Sequence, residues 1–583
     1  MAKIETIRHS LSHIMAYAIQ ELFPDTCFGI GPAIENGFYY DFDLKMSLAP
    51  EDLPKIEGKI KELLKKEIVF KKKIISKKEA KKIFKEQSYK LELIEEIPEK
   101  TVSIYESGEF VDLCAGPHIK STKEINPDAF KLTKIAGAYW RGSEKNSMLT
   151  RIYGVAFEEK EELNKYFFIL KESEKRDHRV LGQKMNLFHV DENLGPGLIL
   201  WHPKGATLKK TVEDYILTTY LKEGYQLVNT PHIAKLNLWR TSGHTDFYKE
   251  SMFPSFHMRE IIQEEKDDYQ LKPMNCPGHI LIYKNEVRSY RQLPLRYTEL
   301  GTVYRYEKSG TLHGLTRVRG FTQDDAHIWC TPEQLGGEII SVFKLALRLL
   351  RDFGFKEYEI YLSTKPKKYV GTLKNWQKST NSLKYALEKS KLKYQIDPGE
   401  GVFYGPKIDI KVKDSIGRAW QLTTIQVDFN LPEKFQMTYI DKNGRKQTPI
   451  MIHRALLGSL ERFIGVLLEY YAGNLPLWLS PEQIWIVPVG SQHEKYARLV
   501  RDQVSNEGLR VKLKDENETV SKKIREGEIQ KIPYLLVVGD KEVKEKSVRV
   551  RERGKGDIGI IKLDKFLDKV KKEIEVKKII NNY

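Results

Sequence analysis

The chain has 583 residues with 97 basic and 80 acidic side chains, and its net charge of +17 favours a polyanionic partner such as RNA, although a lysine-rich solvated surface gives the same total. Its length corresponds to roughly three or four domains of about 100–200 residues each, and its four widely spaced cysteines argue against a disulfide scaffold and for a reducing compartment. There is no apolar run of about 18 residues and no signal-peptide core behind Met1, so we expect a soluble, cytoplasmic protein.

Motifs of other nucleotide-binding classes occur only as fragments. Gly29 and Gly31 begin a Gly-x-Gly-x-x-Gly pattern, but Ile34 occupies the third glycine position, which argues against a dinucleotide site. The segment Lys45–Ser47 is similar to part of the class I synthetase signature, yet its HIGH-like partner sequence is missing. A Gly-x-x-x-x-Gly-Lys-Ser/Thr phosphate loop is missing too, so ATP as a substrate requires a different fold.

The first predicted element is an amphipathic helix over residues 5–22, with apolar side chains at helical spacing. His9 and His13 lie four residues apart on this helix, and Cys114 and His118 are also four residues apart in the segment VDLCAGPHI. Spacing of this kind also fits an ordinary helix surface. Taken together, the two pairs predict a cluster of histidines and one cysteine.

These pairs resemble the editing domain of the threonyl-tRNA synthetase family, which the alanyl enzymes share and which hydrolyses mischarged tRNA. In the alanyl relatives the quartet is similar to a zinc site, whereas in the threonyl family it handles protons and positions water, so we assign no metal to it. Lys90 and Asp112 match further polar positions of that pocket. The resemblance implies that His9 or Lys90 positions water and that Cys114 with Asp112 recognises the seryl ester. The family's ubiquitin-like N-terminal domain is expected to be missing, because the chain begins almost at this helix.

Residues 158–182 form a charged, helix-forming segment of the kind that connects domains. After it, the pattern predicts an apolar strand, an amphipathic helix over about 207–222 and a strand that ends at Pro231. This helix and strand resemble motif 1 of the class II aminoacyl-tRNA synthetases, which makes their dimer interface. The resemblance therefore implies a homodimer.

The most informative stretch runs from Leu293 to Cys330. Residues 294–307 alternate between apolar and charged side chains, which predicts a strand with Arg305 and Glu307 on one side. A flexible loop leads to a second predicted strand over residues 316–329. Its odd positions carry Arg317, Arg319, Gln323, Asp325 and His327. Two such strands would line one cleft with arginines, a carboxylate and an imidazole, although a single hairpin of this kind also fits a solvated sheet edge.

This hairpin resembles motif 2 of the class II synthetases, which holds ATP and the aminoacyl-adenylate. The sequence of its second half, HGLTRVRGFTQDDAHIWC, is similar to the threonyl family in particular. Residues 449–474 resemble motif 3, with Arg462 in its Gly-x-x-Glu-Arg context. The resemblance implies that Arg305 meets the α-phosphate of ATP, Arg317 the outer phosphates and Arg462 the γ-phosphate. Fixed guanidinium groups suit the negative charge that develops as pyrophosphate leaves, although an ion pair is the structural alternative for each. The resemblance also places amino-acid and ATP contacts at Glu307, Gln323, Asp325, Tyr404, Lys407, Gln421, Thr424 and Gln426.

Three residues from separate segments form the predicted metal site, namely Cys276, His327 and His453. Three protein ligands leave a fourth position open for substrate, as in catalytic zinc sites. Taken singly, each residue also fits a buried core position. The resemblance implies one zinc ion that takes the amino and hydroxyl groups of threonine, with Asp325 accepting the hydroxyl proton. It excludes His279 as a ligand, although that residue follows Cys276 by three positions.

From residue 479 onward, strands alternate with helices, which predicts a small α/β domain with a mostly parallel sheet. This region resembles the anticodon-binding domain that threonyl, prolyl, histidyl and glycyl synthetases share. The resemblance places contacts with the anticodon bases at Asn517, Glu542 and Arg551. An unrelated α/β accessory domain is the alternative interpretation of the same pattern.

The expected fold is therefore a multidomain α+β and α/β chain, with an α+β editing domain, an antiparallel class II catalytic domain and an α/β anticodon-binding domain. The expected boundaries are 1–157 for editing, 158–182 for the linker, 183–478 for catalysis and 479–583 for anticodon binding. The expected activity is ligation of L-threonine to tRNA(Thr) with ATP and Mg²⁺, together with hydrolysis of seryl-tRNA. Residues 183–583 are expected to activate threonine without the first domain. A prolyl enzyme and a non-catalytic RNA-binding paralogue are the alternatives.

Overall fold

The computed structural model describes residues 3–257, 267–414 and 416–577. The chain forms two compact units, Met1–Lys171 and Glu172–Tyr583, and each has its own hydrophobic core. Within the described ranges, no helix combines the length and the apolar composition that crossing a membrane requires.

The first unit packs helices against antiparallel sheets. Its helices are α1 (Lys3–Leu22), α2 (Leu53–Lys65), α3 (Lys77–Ile83) and α4 (Ser88–Glu96). Its strands are β1 (Cys27–Phe28), β2 (Ala33–Ile34), β3 (Gly37–Asp43), β4 (Phe70–Ser76), β5 (Thr101–Ser107), β6 (Phe110–Leu113), β7 (Phe130–Tyr139) and β8 (Met148–Ala156). Leu11, Ile14 and Ala18 recur on α1 at spacings of three and four residues and are fully buried. The helix predicted over residues 5–22 is thereby confirmed.

The second unit begins within a helix that both units share, α5 (Lys160–Arg176). Its further helices before residue 479 are α6 (His178–Lys184), α7 (Pro203–Lys222), α8 (Leu236–Ser242), α9 (His244–Phe247), α10 (Cys276–Lys284), α11 (Leu335–Asp352), α12 (Leu373–Lys389), α13 (Asn430–Lys434) and α14 (Leu460–Tyr471). The strands are β9 (Phe188–His189), β10 (Leu200–Trp201), β11 (Gln226–Leu227), β12 (Ile233–Lys235), β13 (Tyr269–Leu271), β14 (Arg288–Ser289), β15 (Leu295–Tyr304), β16 (Gly320–Cys330), β17 (Tyr358–Ser363), β18 (Gln395–Asp397), β19 (Lys407–Lys413), β20 (Ala419–Asp428), β21 (Tyr439–Ile440), β22 (Lys446–Gln447) and β23 (Ile450–Ser459).

An eight-stranded sheet in the order β11-β15-β16-β23-β20-β19-β17-β18 organises this part of the unit. Its pairings are antiparallel from β15 to β17, whereas the edge strands β11 and β18 run parallel to their neighbours. Apolar side chains of α7, α11, α12 and α14 pack with the sheet in one cluster, which we call the main core. Alternate residues of each strand enter this core, so the remaining ones face the other side of the sheet.

The two strands predicted in the motif 2 region are shorter than expected. β15 ends at Tyr304 and β16 begins at Gly320, so Arg305, Glu307 and Arg317 lie in the connecting segment rather than on the strands. A turn causes the later start of β16, because the N–H of Arg317 donates to the carbonyl oxygen of His313 at 3.2 Å.

The predicted helical linker is two helices rather than one. Asp177 ends α5 and caps α6, because its carboxylate accepts the N–H of Arg179 at 2.8 Å. The helix predicted over about 207–222 begins earlier, at Pro203, where proline suits the first turn. The strand predicted to end at Pro231 is limited to the two residues of β11.

The C-terminal part of the second unit is a small α/β fold. It consists of β24 (Ile484–Pro488), α15 (Glu494–Asn506), β25 (Val511–Leu513), α16 (Val520–Ile529), β26 (Tyr534–Val538), α17 (Asp540–Glu545), β27 (Ser547–Glu552), β28 (Gly556–Lys562) and α18 (Leu563–Glu575). The order β25-β24-β26 is parallel, but β26, β27 and β28 pair antiparallel. The prediction of a mostly parallel sheet was therefore wrong, because the short segment between β26 and β27 cannot form a parallel crossover of about a dozen residues.

Candidate active site

A cleft of about 340 Å³ opens on the side of the large sheet that faces away from the main core. Side chains of β16 alternate, with Ala326 and Ile328 in the core and Gln323, Asp325 and His327 in the cleft. The cleft is lined by every residue predicted for catalysis, cofactor contact or metal binding, namely Cys276, Arg305, Glu307, Arg317, Gln323, Asp325, His327, Tyr404, Lys407, Gln421, Thr424, Gln426, His453 and Arg462. Residues from distant segments thus meet in one place.

Three arginines give the cleft a strong positive charge. Arg305 follows the last residue of β15, and the Nε–H of Arg317 donates to Glu307 Oε2 at 3.0 Å. The Nε–H of Arg462 donates to the carbonyl oxygen of Thr316 at 3.0 Å. Burial lowers the pKa of Arg462, and the charges of Arg305 and Arg317 lower it further. Three guanidinium groups in one cleft, of which only that of Arg317 is paired with a carboxylate among these contacts, favour a bound polyanion such as a triphosphate.

Cys276, His327 and His453 offer three ligand atoms within 4.8 Å of one another, and all three residues are buried. The cysteine opens α10, whereas the two histidines are direct partners in the pairing of β16 with β23. Burial raises the pKa of the Cys276 thiol well above its ordinary value, and a bound cation would favour the thiolate instead. One thiol and two imidazoles are a donor set that fits zinc, with one position open for substrate.

Neighbouring side chains orient both histidines toward this site. His453 Nε2 lies 3.1 Å from Asp428 Oδ2, which leaves Nδ1 as the ligand atom. His327 Nδ1 lies 2.8 Å from His279 Nδ1, which leaves Nε2 as the ligand atom. His279 Nε2 is in turn 2.9 Å from Glu299 Oε2. Such supporting carboxylates hold imidazole ligands in one orientation, and sequence reasoning missed them because only strand pairing brings them to the histidines.

Asp409 on β19 was not predicted, although three predicted residues converge on it. Gln421 Nε2 and Thr424 Oγ1 donate to Asp409 Oδ1 at 2.7 and 2.9 Å, and Lys407 forms an ion pair with Oδ2. The carboxylate is buried, so it fixes these side chains along one wall of the cleft. The available signal was the period of two between Lys407 and Asp409, which points both side chains to the same side of the strand.

Other polar groups of the cleft have free hydrogen-bonding capacity. The hydroxyl of Tyr404 donates to Gln426 Oε1 at 3.1 Å, and Gln426 Nε2 is buried without a hydrogen-bond partner among the described residues. Asn275 Nδ2 donates to Asp325 Oδ2 at 3.0 Å and holds that carboxylate in place. A donor and an acceptor beside the thiol and the imidazoles suit a small amino acid with a polar side chain.

The first unit brings His9, His13, Cys114 and His118 together, with their ligand atoms within 4.8 Å of one another. Cys114 Sγ lies 3.4 Å from His9 Nε2 and 3.3 Å from His118 Nε2. Burial lowers the pKa of each of these histidines and raises the pKa of Cys114 to about 11. At neutral pH the cluster therefore consists of uncharged imidazoles and a thiol.

Lys90 and Asp112, the other residues predicted for editing, form a buried ion pair beside this cluster. The hydroxyl of Tyr40 donates to Asp112 Oδ2 at 2.6 Å and accepts from Lys90 Nζ at 3.0 Å. His13 Nδ1 lies 3.5 Å from the same carboxylate oxygen. Tyr40 was not predicted, because a tyrosine among aromatic residues of β3 gives no sign of its polar partners. A cavity of about 250 Å³ reaches this ion pair.

The three residues predicted to contact the anticodon occupy different parts of the C-terminal sheet. Asn517 is exposed in the loop after β25, and Glu542 lies in α17, where its Oε2 accepts the N–H of Gly539 at 2.9 Å. Both follow carboxyl ends of parallel strands. Arg551 pairs with Leu535 near the other end of β26, about 10 Å along the strand from its carboxyl end. The structure therefore does not gather them into one side-chain cluster.

Comparison with known proteins identifies the chain's relatives. The sequence is 52% identical over 584 residues to a threonine–tRNA ligase of Sulfurihydrogenibium sp., covering 99% of this chain and 90% of the relative. It is 50% identical to a threonine–tRNA ligase of Aquifex aeolicus, covering 98% of this chain and 90% of the relative. The chain belongs to the threonine–tRNA ligase family. This assignment confirms the resemblance found in the sequence and decides against the prolyl alternative.

Family models assign the parts of the fold separately. Residues 256–471 match the class II core domain of tRNA synthetases for G, H, P, S and T, and residues 483–573 match an anticodon-binding domain. Residues 102–153 match the second additional domain of threonyl and alanyl tRNA synthetases. The crystal structure of the RNA-binding domain of a Cryptosporidium parvum threonyl-tRNA synthetase is 40% identical with a TM-score of 0.64, over 68% of this chain and 98% of that one. These matches confirm the predicted fold class.

Proposed function

We propose that this chain activates L-threonine with ATP to form threonyl-adenylate and then transfers threonine to the terminal adenosine of tRNA(Thr). The observation that carries the proposal is that Cys276, His327 and His453 open into the same cleft as Arg305 and the other predicted phosphate-binding arginines. A carboxylate-activating enzyme needs a polyanion site and an amino-acid site within bonding distance of each other. The family assignment supplies independent support.

ATP, as its magnesium complex, would occupy the arginine-lined part of the cleft. Arg305 is proposed to meet the α-phosphate, Arg317 the outer phosphates and Arg462 the γ-phosphate. When the threonine carboxylate attacks the α-phosphorus, pyrophosphate leaves with the electrons of the broken bond. The negative charge that develops on the phosphate oxygens is stabilised by guanidinium groups already fixed in position. Lys407, Gln421 and the other residues held by Asp409 would line the rest of the substrate site.

Cys276, His327 and His453 would hold one zinc ion, which when bound offers an open coordination position to the amino and hydroxyl groups of threonine. Asp325, fixed by Asn275, would accept the hydroxyl proton. A site built to engage that hydroxyl rejects valine, which lacks it, by about 10⁴–10⁵-fold. Serine keeps the hydroxyl and lacks only one methyl group, which is worth about 10–200-fold. Errors with serine therefore require a second site.

We propose that the cluster in the first unit is this second site and hydrolyses seryl-tRNA. His9 or Lys90 would position the attacking water, and Cys114 with Asp112 would recognise the seryl ester. Uncharged imidazoles can accept a proton from water, and the buried Lys90–Asp112 pair can hold the ester in a fixed orientation. In keeping with the resemblance to the threonyl family, the cluster is proposed to act without a metal.

The remaining proposals concern the whole assembly. Asn517, Glu542 and Arg551 are proposed to contact the anticodon of the tRNA, and α7 with its following strand is proposed to make a homodimer interface. The proposed domain boundaries are 1–157 for editing, 158–182 for the linker, 183–478 for catalysis and 479–583 for anticodon binding.

ATP–pyrophosphate exchange with each amino acid in turn tests the proposed activity. We expect exchange with threonine, weak exchange with serine and none with valine. Cys276→Ala should abolish exchange and remove zinc from the purified protein, as measured by elemental analysis. Cys330→Ala is the matched control, because Cys330 is equally buried on β16 but lies in the main core. Exchange with an amino acid other than threonine or serine, or full exchange by the Cys276 variant, would overturn the proposal. A non-catalytic paralogue would give no exchange at all.

A further inference from the structure

A buried histidine outside the cleft holds the segment that carries Arg317. His178 is the first residue of α6, and its side chain is fully buried. The backbone N–H of Leu315 donates to His178 Nε2 at 2.9 Å. Leu315 itself is fully buried, and it is followed by Thr316 and Arg317. A single imidazole nitrogen thus anchors this segment two residues before the arginine.

The other imidazole nitrogen fixes the orientation of the ring. His178 Nδ1 lies 2.7 Å from Glu469 Oε1 on α14, and the backbone N–H of His178 donates to the same oxygen at 3.2 Å. Because Nε2 accepts from Leu315, the ring hydrogen is on Nδ1 and points at the carboxylate. Burial raises the pKa of Glu469, but the hydrogen bond from His178 and the charge of Arg418 lower it by more. The net pKa lies below the ordinary value, so this carboxylate stays ionised. The imidazole therefore has one tautomer and one orientation.

The anchored segment holds two of the arginines proposed to bind ATP. The carbonyl oxygen of Thr316 accepts the Nε–H of Arg462 at 3.0 Å, and Arg317 is paired with Glu307 at 3.0 Å. A displacement of the Leu315 backbone would therefore move both guanidinium groups. His178 does not line the cleft. It therefore acts on these groups indirectly, through the Leu315 backbone and through Glu469 on α14, the helix that carries Arg462.

Gly314 provides independent support for a close approach at this point. Its φ is +47°, and a Cβ at this position would lie 2.2 Å from His178 Nε2. A side chain is therefore excluded both by backbone conformation and by the imidazole. The loop and the histidine are complementary to each other.

We propose that His178 is a positioning residue of the nucleotide site, which holds Leu315–Arg317 so that Arg317 and Arg462 face the phosphates of ATP. The inference rests on the proposed function, since it assumes that these arginines bind ATP. If His178 had a purely structural role, replacing it would destabilise the unit but would not change the KM for ATP more than the KM for threonine.

Two isosteric variants separate the two hydrogen bonds of His178. In His178→Gln the amide oxygen reaches the position of Nε2 and can accept the N–H of Leu315. In His178→Asn the shorter amide can still donate to Glu469 but cannot reach Leu315. We expect the asparagine variant to raise the KM for ATP by roughly 10-fold, the value of one lost hydrogen bond, with the KM for threonine little changed. The glutamine variant should stay within about 3-fold of wild type.

Gly314→Ala tests the same contact from the loop side, because the added Cβ would force the loop and the imidazole of His178 apart. It should raise the KM for ATP as His178→Asn does. His493→Gln is the matched control, because His493 is also buried, accepts a backbone N–H from Gly490 at 3.1 Å and contacts Asp540 at 2.9 Å. That variant should lose thermal stability without any change in the KM for ATP.

The measurements are threonine-dependent ATP–pyrophosphate exchange and the increase in melting temperature that ATP alone produces. Equal changes in the KM values for ATP and threonine, or equal defects in the asparagine and glutamine variants, would overturn the positioning role. If the wild type shows no exchange with threonine, the proposed function fails, but the ATP-induced thermal shift of His178→Asn against wild type still decides this inference.

Discussion

At the scale of single residues, the predicted metal site depends on a carboxylate that lies behind the cleft. Glu299 is buried on β15 and contacts His279 at 2.9 Å, while its other oxygen accepts from Lys272 at 3.2 Å. Burial raises the pKa of Glu299, but the hydrogen bond from His279 and the charge of Lys272 lower it more, to about 2. His279 in turn orients His327, so one carboxylate supports the geometry of a ligand that it does not touch.

Glu299→Gln should destabilise the protein in a pH-dependent way. The folded-state pKa lies below the unfolded value, so the carboxylate stabilises the fold above about pH 5 and loses this effect as the pH falls toward 2. The shift corresponds to about 3 kcal/mol at neutral pH. We expect the difference in melting temperature between wild type and variant to be largest near neutral pH and to shrink below about pH 4.

Thermal unfolding across this pH range, followed by circular dichroism, gives the measurement. Glu95→Gln is a suitable control, because its carboxylate is paired with Lys81 on the surface and surface pairs contribute little. A difference between wild type and Glu299→Gln that stays constant from neutral pH down to about pH 2 would contradict the assignment of this carboxylate as ionised and stabilising.

At the scale of elements, the cleft depends on an irregularity in β23. Gln323 pairs with Ser459 but Asp325 pairs with Ala455, so residues 456–458 bulge away from β16. The buried carboxylate of Asp324 accepts the N–H groups of Leu456, Leu457 and Gly458 at 2.9, 3.1 and 2.8 Å. The bulge turns the chain into α14 and directs Arg462 toward the cleft.

Asp324→Asn should be strongly destabilising despite its nearly identical shape. The amide nitrogen would face backbone N–H groups and leave buried donors without acceptors, which costs about 1–3 kcal/mol for each unsatisfied group. Urea unfolding should show this loss, and exchange activity should fall with it because the bulge positions Arg462. Asp441→Asn is the matched control, since Asp441 accepts the N–H groups of Asn443 and Arg445 in an exposed turn where water replaces them. A loss of stability no greater than that of the control would contradict the role of Asp324.

The sequence predicted elements better than it predicted how they meet. The alternation along β16 placed Gln323, Asp325 and His327 correctly in one cleft, because the side-chain period of a strand is a local property. The bulge at residues 456–458 and the support of Lys407 by Asp409 depend on pairing between strands far apart in sequence, which local patterns do not encode. Arg305 and Arg317 were identified by family resemblance. The strands predicted over residues 294–307 and 316–329 include them, but the observed strands β15 and β16 do not.

At the scale of the whole molecule, synthesis and correction of the product are assigned to separate units. His9→Ala combined with His13→Ala should leave threonine activation normal and let seryl-tRNA accumulate, because the cluster lies in the first unit and the arginine-lined cleft in the second. Hydrolysis of preformed seryl-tRNA measures the first effect and ATP–pyrophosphate exchange the second. Cys27→Ala, a change in the same unit outside the cluster, should alter neither. Clearance of seryl-tRNA at the wild-type rate by the double variant would show that editing occurs elsewhere.

The boundary between the two units predicts a longer minimal fragment for threonine activation than residues 183–583, the fragment expected from the sequence. The second unit begins at Glu172, and Leu181 belongs to its main core. Arg176 Nη1 donates to the carbonyl oxygen of Tyr470 at 3.3 Å, and His178 anchors Leu315. A fragment of residues 172–583 should therefore keep threonine-dependent exchange, whereas residues 183–583 should lose most of it together with thermal stability.

Purified fragments compared by exchange and by thermal unfolding give the test, and both should fail to hydrolyse seryl-tRNA because neither contains the first unit. Adding residues 172–182 restores the buried side chains of Leu181 and His178 and both hydrogen bonds of the imidazole, so the KM for ATP should separate the two fragments more than the KM for threonine does. Equal KM values for ATP in the two fragments would mean that the segment before residue 183 does not position the nucleotide site.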